Sequence, residues 1–270
     1  MLIFVSMGQQ TVVLVGGLDL SVGPTMGIVV IALSTFVLAE GAGGGVVVGL
    51  LAALSVGIVV GIVNGLLVRK ARVAPVLATL ATGIVLGGIA LLLRPQPAGT
   101  IDPGFIAGLR TSLGAVPVVF LIAVALIVAA EIALRRTSWG LELRAVGSDE
   151  TRAFRLGARV TATNLIAYVM CGVCTVLGAI VLGGLIGIGQ APLGQSYNLS
   201  SITAVVLGGA SIFGGRGSYI GALTGALLLQ VIVSSTSFLA FGRSWQFWLP
   251  GILILVAAAA YSRARRAAGQ

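Results

Sequence analysis

Long stretches of apolar residues, separated by short polar interruptions, organise this chain. Runs near 2–15, 24–39, 45–68, 73–93, 116–134, 160–183, 217–238 and 245–262 carry few or no charges and lack the two-residue alternation of barrel strands. Each therefore predicts an α-helix of the kind that crosses a bilayer. A further stretch, SSITAVVLGGASIF at 200–213, has 14 residues. That is short of the roughly 20 a regular spanning helix needs, so it predicts a broken crossing or a re-entrant element held among the other helices. The expected fold is all-α, a polytopic membrane protein with about eight transmembrane helices plus one short broken segment, forming a single domain over residues 1–270.

The octet GGLDLSVG at 16–23 interrupts the apolar pattern most sharply. A carboxylate at membrane depth is costly unless it pairs or lines a cavity. Gly16, Gly17 and Gly23 permit an unwound backbone around Asp19, and Pro24 suits the start of a following helix. The octet thus predicts a helix break. Asp19 and Ser21 are expected to accept hydrogen bonds from the N–H groups that open the next helix. Between 208 and 221 lie six glycines, without a neighbouring lysine. Gly208 and Gly209 are expected to let a neighbouring helix approach closely, and Gly214, Gly215, Arg216 and Gly217 to form a tight turn.

Composition fixes the solvent. The 270 residues are 58% hydrophobic and 9% charged, with a mean hydropathy of +1.14. Soluble domains carry about 25% charge, so this chain has too little polar surface to cover a globule in water. Forty glycines fit closely packed membrane helices. With no histidine, and with the single lysine, Lys70, followed by Ala71, no phosphate-cradling G-x-x-x-x-G-K-[ST] loop exists. Cys171 and Cys174 stand one helical turn apart in an apolar run without companion ligands, which marks them as packing residues. No cofactor or metal is implied. The start, MLIFVSMG, has neither a basic leader nor a cleavage pattern, so its helix is expected to be retained.

The net charge of +9 is placed for topology, not for nucleic acid. The clusters at 69–72, 135–159 and 263–266 hold 3, 6 and 3 basic residues, and Arg216 brings the total to 13 of 16. Positive charge stays inside, so these segments and the C-terminus are expected in the cytoplasm, with Arg94, Arg110, Arg243, Glu40 and Asp102 outside. This parity requires the short 200–213 segment to cross, and it has the first helix entering from outside. Within the large inner loop, residues 148–157 predict a surface helix. Ser148 is the expected N-cap, Asp149 and Glu150 sit at the positive end, Arg152 and Arg155 lie toward the other end, and Gly157 closes it. Ala153, Phe154 and Leu156 are its expected apolar knob.

GGLDLSVG resembles the GG-I/L-DLSVG signature of permease subunits of bacterial ABC sugar importers, the ribose group within the branched-chain amino acid and ribose permease family. NGLLVRKARVAPVLATLAT (64–82), RTSWGLELRAVGSDETRAFRLGARV (136–160) and ITAVVLGGASIFGGRGSYIGALTGALLL (202–229) are similar, in order, to three further family segments. The resemblance covers essentially the whole chain. It implies a permease of the cytoplasmic, or inner, membrane and a longer N-terminal region in relatives, which with the parity suggests that the family's first helix is not in this chain. It also implies that the loop at 135–159 couples to an ATPase, through Gly147, Asp149, Glu150, Arg152, Phe154, Arg155 and Gly157. The partners it implies are an ABC ATP-binding subunit with two nucleotide-binding domains, an extracytoplasmic sugar-binding protein and a second permease copy. The expected activity is import of a monosaccharide or similar polyol by alternating access, with no chemistry on this chain.

The scarcity of charge within the spans agrees with a neutral solute, since only Asp19 and Glu131 lie within them. Glu131, with Arg135 at i+4, is expected to form an interfacial ion pair, and Asp19 to act in structure or gating in preference to contact with the sugar. The main alternative is an ion-gradient-driven secondary transporter or channel for a small neutral solute, which normally needs more intramembrane acids. An intramembrane enzyme lacks a nucleophile–base pair.

Overall fold

The computed structural model describes residues 1–38, 45–242, 244–245, 248–253 and 255–256. Expectations for Glu40, Arg243, the cluster at 263–266 and most of the 245–262 span lie outside the described residues. The chain runs α1 (Leu2–Leu14), α2 (Val22–Phe36), α3 (Gly45–Arg69), α4 (Pro75–Leu93), β1 (Ala98–Thr100), α5 (Pro103–Leu109), β2 (Ser112–Leu113), β3 (Val116–Pro117), α6 (Val118–Arg136), α7 (Ser138–Ser148), α8 (Glu150–Arg155), α9 (Val160–Ile186), β4 (Ile188–Gly189), α10 (Gln195–Leu207) and α11 (Tyr219–Phe238). Among the described residues α3, α4, α6, α9 and α11 are long and apolar enough to cross a bilayer. At 13 and 15 residues, α1 and α2 are shorter apolar helices, about 20 Å and 23 Å long.

Helix α9 is the axis of the bundle. Helix α1 runs antiparallel along one side of it: Gly178 faces Met1, Phe4 and Val5, Gly8 lies on Cys171 and Cys174, and Gly17 on Tyr168. On another side α3 also runs antiparallel to it, Gly57 against Gly172, Gly61 against Val169 and Gly65 against Leu165. A methyl group on Gly172 would fall on the Gly57 carbonyl, so these helices meet backbone to backbone. In lipid, which offers no hydrophobic drive for helices to associate, such close packing is the main source of their attraction. The outward faces of α3 and α4 carry exposed Val47, Leu51, Val59, Leu77, Ile84 and Leu92, as expected of surfaces that meet acyl chains.

The two ends of the bundle differ in character. At one end Arg69, at the close of α3, meets Glu150 of α8 at 2.6 Å, which places the basic segments 69–72 and 135–159 side by side. At the other end Arg94 donates to Thr35 Oγ1 at 2.7 Å, Arg110 reaches the Gly184 and Leu185 carbonyls at 3.3 Å, and β1 pairs with β4. Segment 94–117, for which the apolar pattern predicts no element up to 115, folds into β1, the short helix α5 capped by Asp102 (Oδ1 accepting from Phe105 N at 2.7 Å), and the β2–β3 hairpin.

Glu131 does more than form the expected pair. Its Oε1 holds Arg135 Nε at 2.5 Å, while its Oε2 accepts from the N–H of Tyr219 at 2.7 Å and, at 3.4 Å, from Ile220. It thereby caps the first turn of α11 across the bundle, where a carboxylate is favoured by the helix dipole. Glu131→Leu leaves the buried Tyr219 N–H without a partner. A stability loss of about 1–3 kcal/mol is expected, read as a lower Tm of the purified protein, with Glu131→Gln recovering part of it.

Candidate functional site

The predicted break is present. Helix α1 ends at Leu14, the chain is non-helical through 15–21, and α2 starts at Val22. Gly16 has φ of 80°, a left-handed conformation that the glycine supplies without strain. Asp19 is 2% exposed. Its Oδ1 accepts from the Ser21 N–H at 2.8 Å and from the Ser21 hydroxyl at 2.6 Å, and Asn64 of α3 approaches both carboxylate oxygens at 3.5 Å while donating to Ser21 Oγ at 2.9 Å. With its amide oriented to satisfy both groups, Gln9 brackets the Asp19 backbone, donating to the carbonyl and accepting from the N–H, both at 3.1 Å. Thr79 of α4 accepts from Leu20 N at 3.1 Å, and its hydroxyl lies 3.0 Å from the Leu18 carbonyl. Three helices therefore share the cost of burying one carboxylate and an unwound backbone. Asn64 stands five residues from the end of α3, so the break lies about 8 Å along the axis from the basic end of the bundle.

Two expectations about the octet are corrected. The second helix begins at Val22 and not at Pro24, which becomes its third residue, still in the first turn where a missing N–H costs no helical bond. Ser21, at the N-cap, makes no side-chain cap bond: its hydroxyl is turned to Asp19. The orphan donor of the next turn, Gly23 N, is instead satisfied from across the bundle by Asn198 Oδ1 of α10 at 2.6 Å. A methyl group on Gly23 would lie 2.7 Å from the Gly194 carbonyl, and one on Gly194 would lie 2.7 Å from the Gly23 carbonyl. The positive ends of α2 and α10 therefore meet inside the bundle, an arrangement that transport proteins use at their pathways.

The short segment crosses by combining two forms. After β4 the chain returns along α2 without helical structure, Ala191 against Gly27 and Gly194 against Gly23, and only then coils into α10, which is 13 residues and about 20 Å long. Gly208 packs on Gly221 and Gly225 on the Ala204 carbonyl, so α10 and α11 run antiparallel in close contact. Gly209 does not share in this contact; it has open space around it and φ of 86°, and it turns the chain out of α10. Gly214 and Gly215, with φ of 89° and 73°, form the turn, and Ser211 N donates to the Arg216 carbonyl at 2.9 Å to close it. Gly217 lies against the Gln10 carboxamide. Removing Asn198 should loosen both interrupted helices: Asn198→Ala is expected to cost about 1–3 kcal/mol, read as a lower Tm, because Gly23 N loses its partner inside the bundle.

The large basic loop forms two helices where one was expected. Helix α7 runs to Ser148, so Ser148 cannot be the N-cap of the next; Asp149 is, its Oδ1 accepting from Arg152 N at 2.9 Å and its Oδ2 pairing with Arg152 Nε at 2.9 Å. Ala153 is buried in the cluster that α7 shares with the end of α1 and does not belong to the exposed knob. Phe154 and Leu156 do, at 71% and 87% exposure, and Gly157 ends the element with φ of 90°. Beside the knob a groove of about 670 Å³ is lined by Arg69, Glu150, Phe154, Arg159, Thr161 and Leu165. Arg155 is exposed on the same helix. Sequence reading missed Gln9, Asn64, Thr79 and Asn198. A polar residue in an otherwise apolar helix was the available signal for the first three, and Asn198 lies in the first turn of a helix that opens on a glycine.

A helical membrane bundle with two interrupted helices meeting inside it, and with a charged elbow carrying an exposed aromatic at one end, is built to move a solute. The chain belongs to the family of permease components of branched-chain amino acid transport systems, whose model matches residues 1–258. It is similar to a probable ABC transporter permease protein of Sinorhizobium fredii (35% identical, over 99% of this chain and 80% of that protein). It is also similar to the ribose import permease protein of Bacillus subtilis (33%, over 94% and 79%) and to an autoinducer 2 import system permease protein of Yersinia pseudotuberculosis (34%, over 94% and 72%). The chain is thus a multi-pass ABC permease. No solved structure matches it.

Proposed function

We propose that this permease imports a monosaccharide or similar polyol across the cytoplasmic membrane, worked by a separate ATP-hydrolysing subunit. The observation that carries the reading is the α7–α8 elbow: a solvent-facing Phe154–Leu156 knob on a short capped helix, held to α3 by Arg69–Glu150 and with Ala153 buried in the cluster that α7 shares with the end of α1. A protruding aromatic surrounded by charge is the kind of anchor that dominates protein interfaces. Ribose, named for one relative, is a small neutral polyol, and the single buried acid of the break is held by Ser21 and Asn64.

Two copies of the chain form the pathway, two nucleotide-binding domains seat on the α8 knobs at the cytoplasmic side, and an extracytoplasmic binding protein delivers the sugar from outside. ATP-driven closure of the nucleotide-binding domains favours one arrangement of the elbows over the other. Substrate movement follows from that differential affinity, not from any bond made on this chain. The breaks at 15–21 and 190–194 are where the pathway opens and closes. Proteoliposomes holding the chain with its partner ATPase, and supplied with binding protein and labelled ribose, are expected to accumulate label only with ATP. Accumulation that proceeds without any ATPase would instead establish a gradient-driven carrier or a channel.

A further inference from the structure

Between the elbow and the break there is a contact made almost wholly of backbone. Leu14, the last residue of α1, has a carbonyl with no partner within its own helix, and Gly215 N donates to it at 2.9 Å. Gly147, near the end of α7, is pressed onto the same place: a methyl group on it would fall on the Leu14 carbonyl and 2.6 Å from Gly215 N. One on Gly214 would lie 2.6 Å from the Gly147 carbonyl and 2.8 Å from Gly16 N, and one on Gly215 would collide with Ser148. Three chain segments therefore touch with almost no side chain between them: the end of α1, the end of α7 and the turn before α11.

Side chains hold the same parts together. Leu14 and Val15 pack in one cluster with Leu143 and Val146 of α7 and Ala153 of α8. On the far side of the break, Leu18, Leu20 and Ser21 are tied to α3 and α4 through Asn64 and Thr79. The break thus has one end fixed to the elbow and the other, which includes Asp19, to a different pair of helices.

We propose that Gly147, Gly214 and Gly215 are positioning residues that form a backbone joint through which movement of the α7–α8 elbow is delivered to the Gly16–Gly23 break. This rests on the reading of the elbow as the ATPase contact. Backbone contact suits the task because it leaves no flexible side chain to absorb the displacement, and packed cores switch between discrete arrangements in place of deforming smoothly.

The test uses the permease assembled with its ATPase in nanodiscs, with Leu20→Cys as a reporter in the break and the background labelling of the parent chain subtracted. Trapping with Mg-ATP and orthovanadate is expected to change the thiol-labelling rate at least about threefold, a shift in exposure set by the two-state equilibrium of the break. With Gly214→Ala or Gly215→Ala the ATPase stays bound and hydrolyses ATP, but the labelling change is lost and uptake falls by about tenfold or more, the signature of lost coupling between two sites. Gly88→Ala, at a position with open space around it, behaves as the parent. A reporter that does not respond in the chain with its native glycines overturns the joint, whether or not the alanine variants assemble. So does a response that survives in both alanine variants. If Phe154→Asp still holds the ATPase, the elbow reading has failed and the joint with it; if the ATPase needs Phe154 and the reporter is silent, the joint alone has failed.

Discussion

Phe154→Asp is expected to abolish ATP-driven uptake while leaving the permease folded. The ring is 71% exposed and sits at the end of a six-residue helix, so its loss costs the isolated chain little, within about 0.5 kcal/mol. At an interface the same change removes an aromatic anchor and buries a charge. A loss of about 2 kcal/mol or more is typical for such a position, which is roughly a 30-fold weaker complex. Co-purification of the ATPase and its stimulated hydrolysis should fall together, with an unchanged Tm for the permease alone. Leu156→Asp, on the same knob, should act in the same direction. Breaking Arg69–Glu150 with Glu150→Gln should do much less, because Glu150 is 54% exposed and such pairs contribute about 0–1 kcal/mol.

Asp19→Leu is expected to remove both transport and much of the stability. It strands the Ser21 N–H and hydroxyl and weakens the hold of the Asn64 amide in a site closed to water, each stranded group at a cost of about 1–3 kcal/mol. Together they approach the whole stability of a typical domain, although such costs do not add fully. Asp19→Asn separates structure from substrate contact. Its oxygen can still accept from Ser21, so a structural or gating role predicts reduced maximal uptake with the KM for sugar unchanged within about twofold, the pattern of a change that leaves substrate binding alone. Direct contact with the sugar predicts a raised KM. Both are read from uptake at graded sugar concentrations in proteoliposomes, with Tm measured alongside.

The five long helices were legible in the sequence because their signal is length: an apolar run of 19 to 27 residues has few ways to fold in a bilayer. The broken crossing was legible for the converse reason, a run too short to be regular. The break at 16–23 was legible from one acid among glycines. Its partners were not, since nothing in the types or spacing of Gln9, Asn64, Thr79 and Asn198 tells which of them will meet the octet, in the last case from 175 positions away. The errors at the elbow have local causes. Ser148 and Asp149 are both good N-caps, and the continuation of α7 to Ser148 decided between them. Ala153 reads as part of an apolar knob only while the helix is considered alone; once α8 lies on α7 its one inward face is the one that carries the alanine. Segment 94–117 is rich in glycine and proline and without a clear period, so α5 and the hairpin gave no pattern to read.

The sidedness of the α8 elbow tests the central claim most directly. A membrane-impermeant thiol reagent applied to Thr151→Cys, an exposed position on α8, should label inside-out vesicles and leave intact cells unlabelled. Labelling of intact cells would place the elbow away from any source of ATP and contradict the account.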